Sequence, residues 1–211
     1  RLQIWRAPGA AETTGATVLV ANHISHFDPI FLAIAFHRTI DWMTTEEFYA
    51  HPLTGAWLRA VNTFPVDRSR PDRRARRIGI KRLRRGRIVG MFPEGGIRAG
   101  AASILEGAVP KGGATAMARL AGAPITPCVV LGTDRLYAPR SWRPGPPRTP
   151  IWVSIGAPFP VSGMTGEEAD TRMAGALREL AAAAIAHFDL GPDDLPATPQ
   201  HRKGRDQRAT V

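Results

Sequence analysis

The sequence predicts an α/β fold, a single domain built on a mainly parallel central β-sheet flanked by helices. Three observations predict it. Aliphatic, β-branched runs recur at residues 17–21, 87–92 and 124–131, each the length of a buried strand. Between them lie stretches with helical apolar spacing, and strands alternating with helices are the signature of parallel crossovers. The 211 residues, 44% hydrophobic and 22% charged, are enough for one substantial core.

Taken in order, Thr17-Val18-Leu19-Val20-Ala21 is the first core strand, and it ends at Asn22-His23. Asp28-Pro29 opens a helix through Phe31, Ile34 and Ala35, with the proline in the first turn where its missing N–H costs nothing. Residues 41–44 form a short strand, 53–61 a short helix and 63–66 another strand, weakened by Pro65. Residues 71–85 set Ile78 and Leu83 on one helical face with arginines around the rest. The second core strand, 87–92, is followed by a glycine-rich loop over 93–113. A helix over 114–121 stops at Gly122, and 124–131 is the third core strand.

After a loop rich in proline and arginine (138–150), Ile151 to Ile155 alternates as a strand. Thr165-Gly166-Glu167-Glu168 has capping-box spacing. The helix it starts carries Met173, Leu177, Leu180, Ala184 and Phe188 as a core stripe. The domain is expected to span 1–190. Residues 191–211, polar and without periodicity, are expected to be a disordered tail.

Composition narrows the function classes. A single cysteine, Cys128, lies inside an apolar run, excludes a disulfide framework or cysteine zinc site, and reads as a buried small hydrophobe. No stretch has the ~20 apolar residues of a membrane-spanning helix, and no signal-peptide pattern occurs. The net charge of +10 is concentrated in residues 68–87, where ten arginines and Lys81 face one acid, Asp72. That segment points to an anionic partner.

The chemistry-bearing segment is Ala21-Asn22-His23-Ile24-Ser25-His26-Phe27-Asp28-Pro29. An imidazole becomes an effective general base near neutral pH when a carboxylate orients one ring nitrogen and stabilises the imidazolium. A strand breaking into a loop before a helix can fold Asp28 back onto His23, at the strand ends where open α/β sheets bind ligands. The spacing alone also admits two other readings. Asp28 caps its helix while His23 is a loop residue, or His23, His26 and Asp28 ligate a metal, as in a metal-dependent hydrolase.

Two further strand ends, Phe64-Pro65-Val66-Asp67-Arg68 and Phe92-Pro93-Glu94-Gly95-Gly96-Ile97-Arg98, add to the first. With the proline-bearing strand Ile125-Thr126-Pro127, the chain resembles the lysophospholipid and glycerol-phosphate acyltransferase family. Asn22, His23, Ser25 and Asp28 match its first motif. Phe64, Val66, Asp67 and Arg68 match the second, and Phe92, Pro93, Glu94 and Gly95 the third. The four motifs keep the family's order and spacing across residues 15–160. One departure is that Gly96-Ile97 stands where the family has a single threonine, which displaces Arg98 by one position.

The resemblance implies a glycerol-phosphate acyltransferase-like fold. It also implies transfer of a fatty acyl chain from acyl-CoA or acyl carrier protein to the free hydroxyl of a lysophospholipid, 1-acyl-glycerol-3-phosphate first among them. His23 would be the general base and Asp28 its orienting acid, the division of labour of a serine-protease triad with the hydroxyl supplied by the substrate. Asn22, Ser25, Arg68, Glu94, Gly95, Arg98 and Lys111 would bind substrate, the cations holding a phosphate and glycine N–H groups helping an oxyanion. No cofactor or metal is implied, only the thioester co-substrate. The implied setting is the cytoplasmic face of the cell membrane, peripherally bound to an anionic surface. The basic segment and exposed Trp57 and Trp142 are candidate attachments.

Other readings of the basic segment are a solvated helix face, contact with an acidic carrier protein or coenzyme A phosphates, and nucleic acid. Nucleic acid is not expected, since no aromatic residue is interleaved from 68 to 87. A non-catalytic domain that docks on anionic membranes is the alternative to an enzyme.

Overall fold

A computed structural model of the chain describes residues 1–12, 14–67, 72–142 and 149–197. Among these residues seven strands form one sheet: β1 (Leu2–Arg6), β2 (Thr17–Ala21), β3 (Ile40–Thr45), β4 (Phe64–Val66), β5 (Ile88–Met91), β6 (Ile125–Leu131) and β7 (Ile151–Ile155). Their order is β1-β7-β6-β2-β5-β3-β4. Every neighbouring pair is parallel except β6 with β7. The mainly parallel α/β sheet expected from the sequence is therefore present.

Among the described residues five α-helices connect and cover the strands: α1 (Asp28–Ala35), α2 (Pro52–Ala60), α3 (Arg73–Leu83), α4 (Gly113–Ala121) and α5 (Gly166–Phe188). β2 and β6 are buried at every position, as continuous aliphatic runs must be when both faces are covered. On one face, Val18, Val20 and Val89 pack with Met117 and Ala118 of α4 and Met173 and Leu177 of α5. On the other, Leu19, Ala21 and Val130 meet Leu32 and Ala35 of α1, with Trp42 alongside.

Local signals fix the helix starts. Pro29 sits in the first turn of α1. The Asp72 carboxylate accepts the N–H groups of Arg74 and Ala75 at 2.8 and 2.9 Å and so caps α3. Thr165 and Glu168 form the expected reciprocal capping box on α5, at 2.7 and 3.2 Å. Of that helix's expected stripe, Met173, Leu177, Leu180 and Ala184 are buried, and Phe188 is half-buried. Cys128 is fully buried, and burial raises its thiol pKa.

Four features differ from the sequence expectation. β1 is an additional edge strand, paired with β7 about 150 positions away. The glycine-rich stretch 93–113 contains two 3-10 turns, Gly100–Ala102 and Ile104–Glu106, and buries Ile104 in the core. The basic segment is not wholly a free surface. Arg87 makes a two-point pair at 2.5 Å with the fully buried Asp41, and Arg82 reaches the same carboxylate at 3.2 Å. Finally, the stretch expected to be a tail from residue 191 begins with an ordered piece. Pro192–Asp194 is a 3-10 turn, Arg135 pairs with Asp194 at 2.5 Å, and the Ala197 N–H donates to Asp134. Residues 198–211 lie outside the described residues.

The parallel strands put the carboxyl ends of β2 to β6 along one edge of the sheet. The loops after β2, β5 and β6 meet there, and that meeting builds the site.

Candidate active site

The loop after β2 folds Asp28 back onto His23. Asp28 is the first residue of α1, but its carboxylate turns away from the helix, and the cap residue Phe27 makes no side-chain cap bond. Asp28 Oδ2 accepts from His23 Nδ1 at 2.8 Å and from the Ile24 and Ser25 N–H groups at 2.7 and 2.8 Å. Its Oδ1 accepts from the Ser25 hydroxyl at 3.2 Å and the Thr133 hydroxyl at 2.5 Å. Five donors converge on the fully buried carboxylate and fix its position, with His23 Nδ1 as the donor on the ring side. The helix-cap reading is thereby set aside.

His23 itself is held from three sides. Its N–H donates to Glu94 Oε2 at 2.6 Å, and its carbonyl accepts the Arg98 N–H at 2.8 Å. Its ring stacks on Phe92 with centroids 4.0 Å apart, and Phe92 stacks on the buried Trp42 at 5.0 Å. Gly90 makes room for that stack, since a Cβ there would lie 2.5 Å from the Trp42 ring. The His23 side chain keeps 12% of its surface exposed, enough for a substrate atom to touch one ring edge.

Glu94 ties the loops together. Its Oε1 accepts the Ser103 hydroxyl and the Ile104 N–H at 2.8 and 2.9 Å while Oε2 takes the His23 N–H. Burial raises its pKa, against the hydrogen bonds from Ile104, Ser103 and His23, which lower it. Gly95 turns the chain with φ +68°, and a Cβ there would collide with the Lys111 side chain at 2.5 Å from Nζ. The backbone of Lys111 donates to the Pro93 carbonyl at 2.8 Å. Exposed Arg98 and Lys111 therefore stand on the loop that brackets His23.

Several expected substrate contacts serve the scaffold. Asn22 is buried, and its amide exchanges two 2.9 Å hydrogen bonds with the Val130 backbone, joining the end of β2 to β6. Ser25 is buried, donates to Asp28 and accepts the Phe27 N–H at 3.0 Å. The Gly95 N–H is given to the Phe92 carbonyl at 3.0 Å, so the expected oxyanion donor is already engaged. Arg68 lies outside the described residues.

The metal reading fares no better on geometry. His26 turns away from Asp28, and its Nδ1 lies 2.5 Å from the Tyr137 hydroxyl, which also accepts the His26 N–H. Among the described residues no group of three His, Cys, Asp or Glu side chains is placed to hold a metal ion. Two contributors escaped sequence reasoning, Thr133 and Tyr137. Both follow β6 and lie more than 100 positions from the residues they touch, and no local spacing marks them.

The chain matches the family model described as Acyltransferase over residues 7–131, more than half its length. It is 30% identical over 116 residues to a 1-acyl-sn-glycerol-3-phosphate acyltransferase of Bacillus subtilis (strain 168), covering 54% of this chain and 55% of that one. The same identity over 117 residues links it to a Streptococcus pneumoniae protein of the same name, covering 54% and 41%. The chain spans about half the length of these curated relatives. Among solved structures, the LPA acyltransferase PlsC from Thermotoga maritima superposes with a TM-score of 0.62 at 24% identity, over 85% of this chain and 71% of that one. That likeness speaks to the fold, and the matched span 7–131 holds the His23–Asp28 pair and the Glu94 loop. On these grounds the chain belongs to the acyltransferase family.

Proposed function

We propose that the protein transfers a fatty acyl chain from an acyl thioester, on coenzyme A or a carrier protein, to the free hydroxyl of a lysophospholipid. The preferred acceptor is 1-acyl-glycerol-3-phosphate, the acceptor class named in the relatives' titles. The observation that carries this reading is the His23–Asp28 pair, 2.8 Å apart at the carboxyl edge of the sheet, with Nδ1 committed to the carboxylate.

With Nδ1 occupied, Nε2 is the nitrogen that takes the proton from the acceptor hydroxyl. The hydroxyl oxygen attacks the thioester carbonyl carbon as its O–H bond breaks. The tetrahedral intermediate then expels the thiolate, the C–S bond breaks, and the imidazolium returns the proton to sulfur. Asp28 keeps accepting the Nδ1–H throughout and stabilises the transient imidazolium. The only cysteine is buried with its thiol pKa raised, so it does not form a covalent acyl-enzyme. Arg98 and Lys111 at the mouth supply positive charge for the acceptor phosphate.

The substrate is a lipid, and no helix among the described residues is long and apolar enough to cross a membrane. Exposed Phe48 follows the carboxyl end of β3, exposed Val109 lies in the loop after β5, and exposed Trp142 rests near Phe27 beside the His23 loop. These fit peripheral seating on an anionic bilayer, which we place at the cytoplasmic face. The test is thiol release from an acyl thioester. It is expected to depend on added lysophospholipid and to vanish in His23→Ala. Sustained transfer by a folded His23→Ala protein would overturn the mechanism.

A further inference from the structure

The function above leaves the arginine stripe on α3 unused. Arg73, Arg76, Arg77, Lys81 and Arg84 recur at helical spacing on the face opposite buried Ala75, Gly79 and Leu83. With Arg85 they line a groove against α4, whose exposed Leu120 joins Ile80 as its apolar part. No acid occurs from residue 73 to 87, and none of these six cations has an ion-pair partner among the described residues. Arg82 and Arg87, by contrast, are consumed by Asp41.

The direction of the stripe decides what it fits. α3 connects β4 to β5, two strands that both run parallel to β3, so its axis runs back against the strands. Its 11 residues extend about 16 Å from the catalytic edge down one flank. A bilayer seated on the catalytic edge meets the Arg73 end and leaves Lys81, Arg84 and Arg85 well away from the lipid. A nucleotide's few phosphates are too compact to engage six cations spread over that length. An acidic helix is long enough, and its apolar side would rest on Ile80 and Leu120 while its carboxylates met the arginines.

We propose that the α3–α4 groove docks an acidic, helical carrier protein that presents the acyl thioester on a long flexible arm reaching over the edge to His23. The inference rests on the thioester-donor reading above and deepens it by separating two surfaces. The catalytic edge meets lipid, and the flank meets the donor protein.

The test uses the whole chain with purified holo acyl carrier protein, its acylated form, and acyl-CoA of the same chain length. The variants are the triple charge reversal Arg76→Glu/Arg77→Glu/Lys81→Glu and, independently, Arg84→Gln/Arg85→Gln. Holo carrier protein is expected to bind the wild type in a salt-dependent manner. Binding should weaken at least tenfold in the triple variant and less in the double. KM for acylated carrier should rise in step, while kcat and KM for acyl-CoA and binding to phosphatidylglycerol vesicles stay at wild-type values. Three results would overturn the inference: no binding of holo carrier to wild type, equal loss with both donors, or loss of vesicle binding with carrier KM unchanged. Wild type that binds the carrier but transfers from neither thioester would instead refute the proposed function and leave the docking surface standing.

Discussion

Thr133→Val removes one hydroxyl from the protein and leaves nearly the same shape behind. Thr133 is fully buried, and its hydroxyl is one of two donors on Asp28 Oδ1 among the described residues, at 2.5 Å. The other, from Ser25, is longer at 3.2 Å, and the Ser25 oxygen is also occupied by the Phe27 N–H. A hydrogen bond to an ionised group contributes about 1.5–3 kcal/mol. A loss near 2 kcal/mol lowers the melting temperature by roughly 4–8 °C in a domain of this size. Asp28 also keeps the His23 ring in place, so part of the loss reappears in the transition state. Each ~1.4 kcal/mol there is tenfold in rate, so kcat should fall about tenfold while KM for the acceptor holds. Thermal unfolding and initial-rate thioester assays read the two effects, and Thr133→Ser is the control that restores the donor. Ser25→Ala should cost less on both counts. If the Val variant matched wild type, or the Ser variant fell as far as the Val variant, the hydroxyl would not be what holds Asp28.

Other perturbations follow from the same geometry. Gly90→Ala places a Cβ 2.5 Å from the Trp42 ring. It should cost about 1–3 kcal/mol in urea unfolding and alter tryptophan emission, with kcat reduced because the ring stack shifts under His23. Glu94→Gln turns one acceptor into a donor facing either the His23 N–H or the Ile104 N–H and Ser103 hydroxyl, a cost of about 1–3 kcal/mol. Because burial raises the Glu94 pKa, its contribution is fully present below the unfolded value and lost as pH rises through the folded one. The wild-type advantage over Gln in denaturant titrations should therefore narrow as pH increases. Asp72 has the opposite sign. The N–H groups of Asp67, Ala75 and Arg74 hold its pKa below the usual value, so its stabilisation is present above the unfolded pKa and lost as pH falls through the folded one. Asp72→Asn should flatten that part of the acid limb in pH-dependent unfolding.

The sequence made the central strands legible because each is a continuous aliphatic run buried on both faces, and the capping box legible because Thr165 and Glu168 act three residues apart. The same locality explains His23 and Asp28, five positions apart on one turn. What the chain did not disclose is carried by contacts without local periodicity. β1 is short, half exposed and hydrogen-bonded to a strand near the other end of the chain. Asn22 and Ser25 show what a motif match leaves out. Their residue types are the polar ones expected beside a substrate, yet burial forces each polar atom to find a protein partner, and both end up supporting the strand end and the carboxylate.

The arginines divide by the same rule of partners. Asp41 is fully buried and takes Arg82 and Arg87 from a run that composition treats as uniform. Removing a buried charge's partners costs several kcal/mol, whereas an exposed arginine costs almost nothing to change. Of the cations left over among the described residues, Arg73, Arg76, Arg77, Lys81 and Arg84 are the ones free to be selected for a partner on one helical face. A stripe with that periodicity requires both the helix and the prior claim of Asp41, so charge counting on the sequence could find the excess but not its direction.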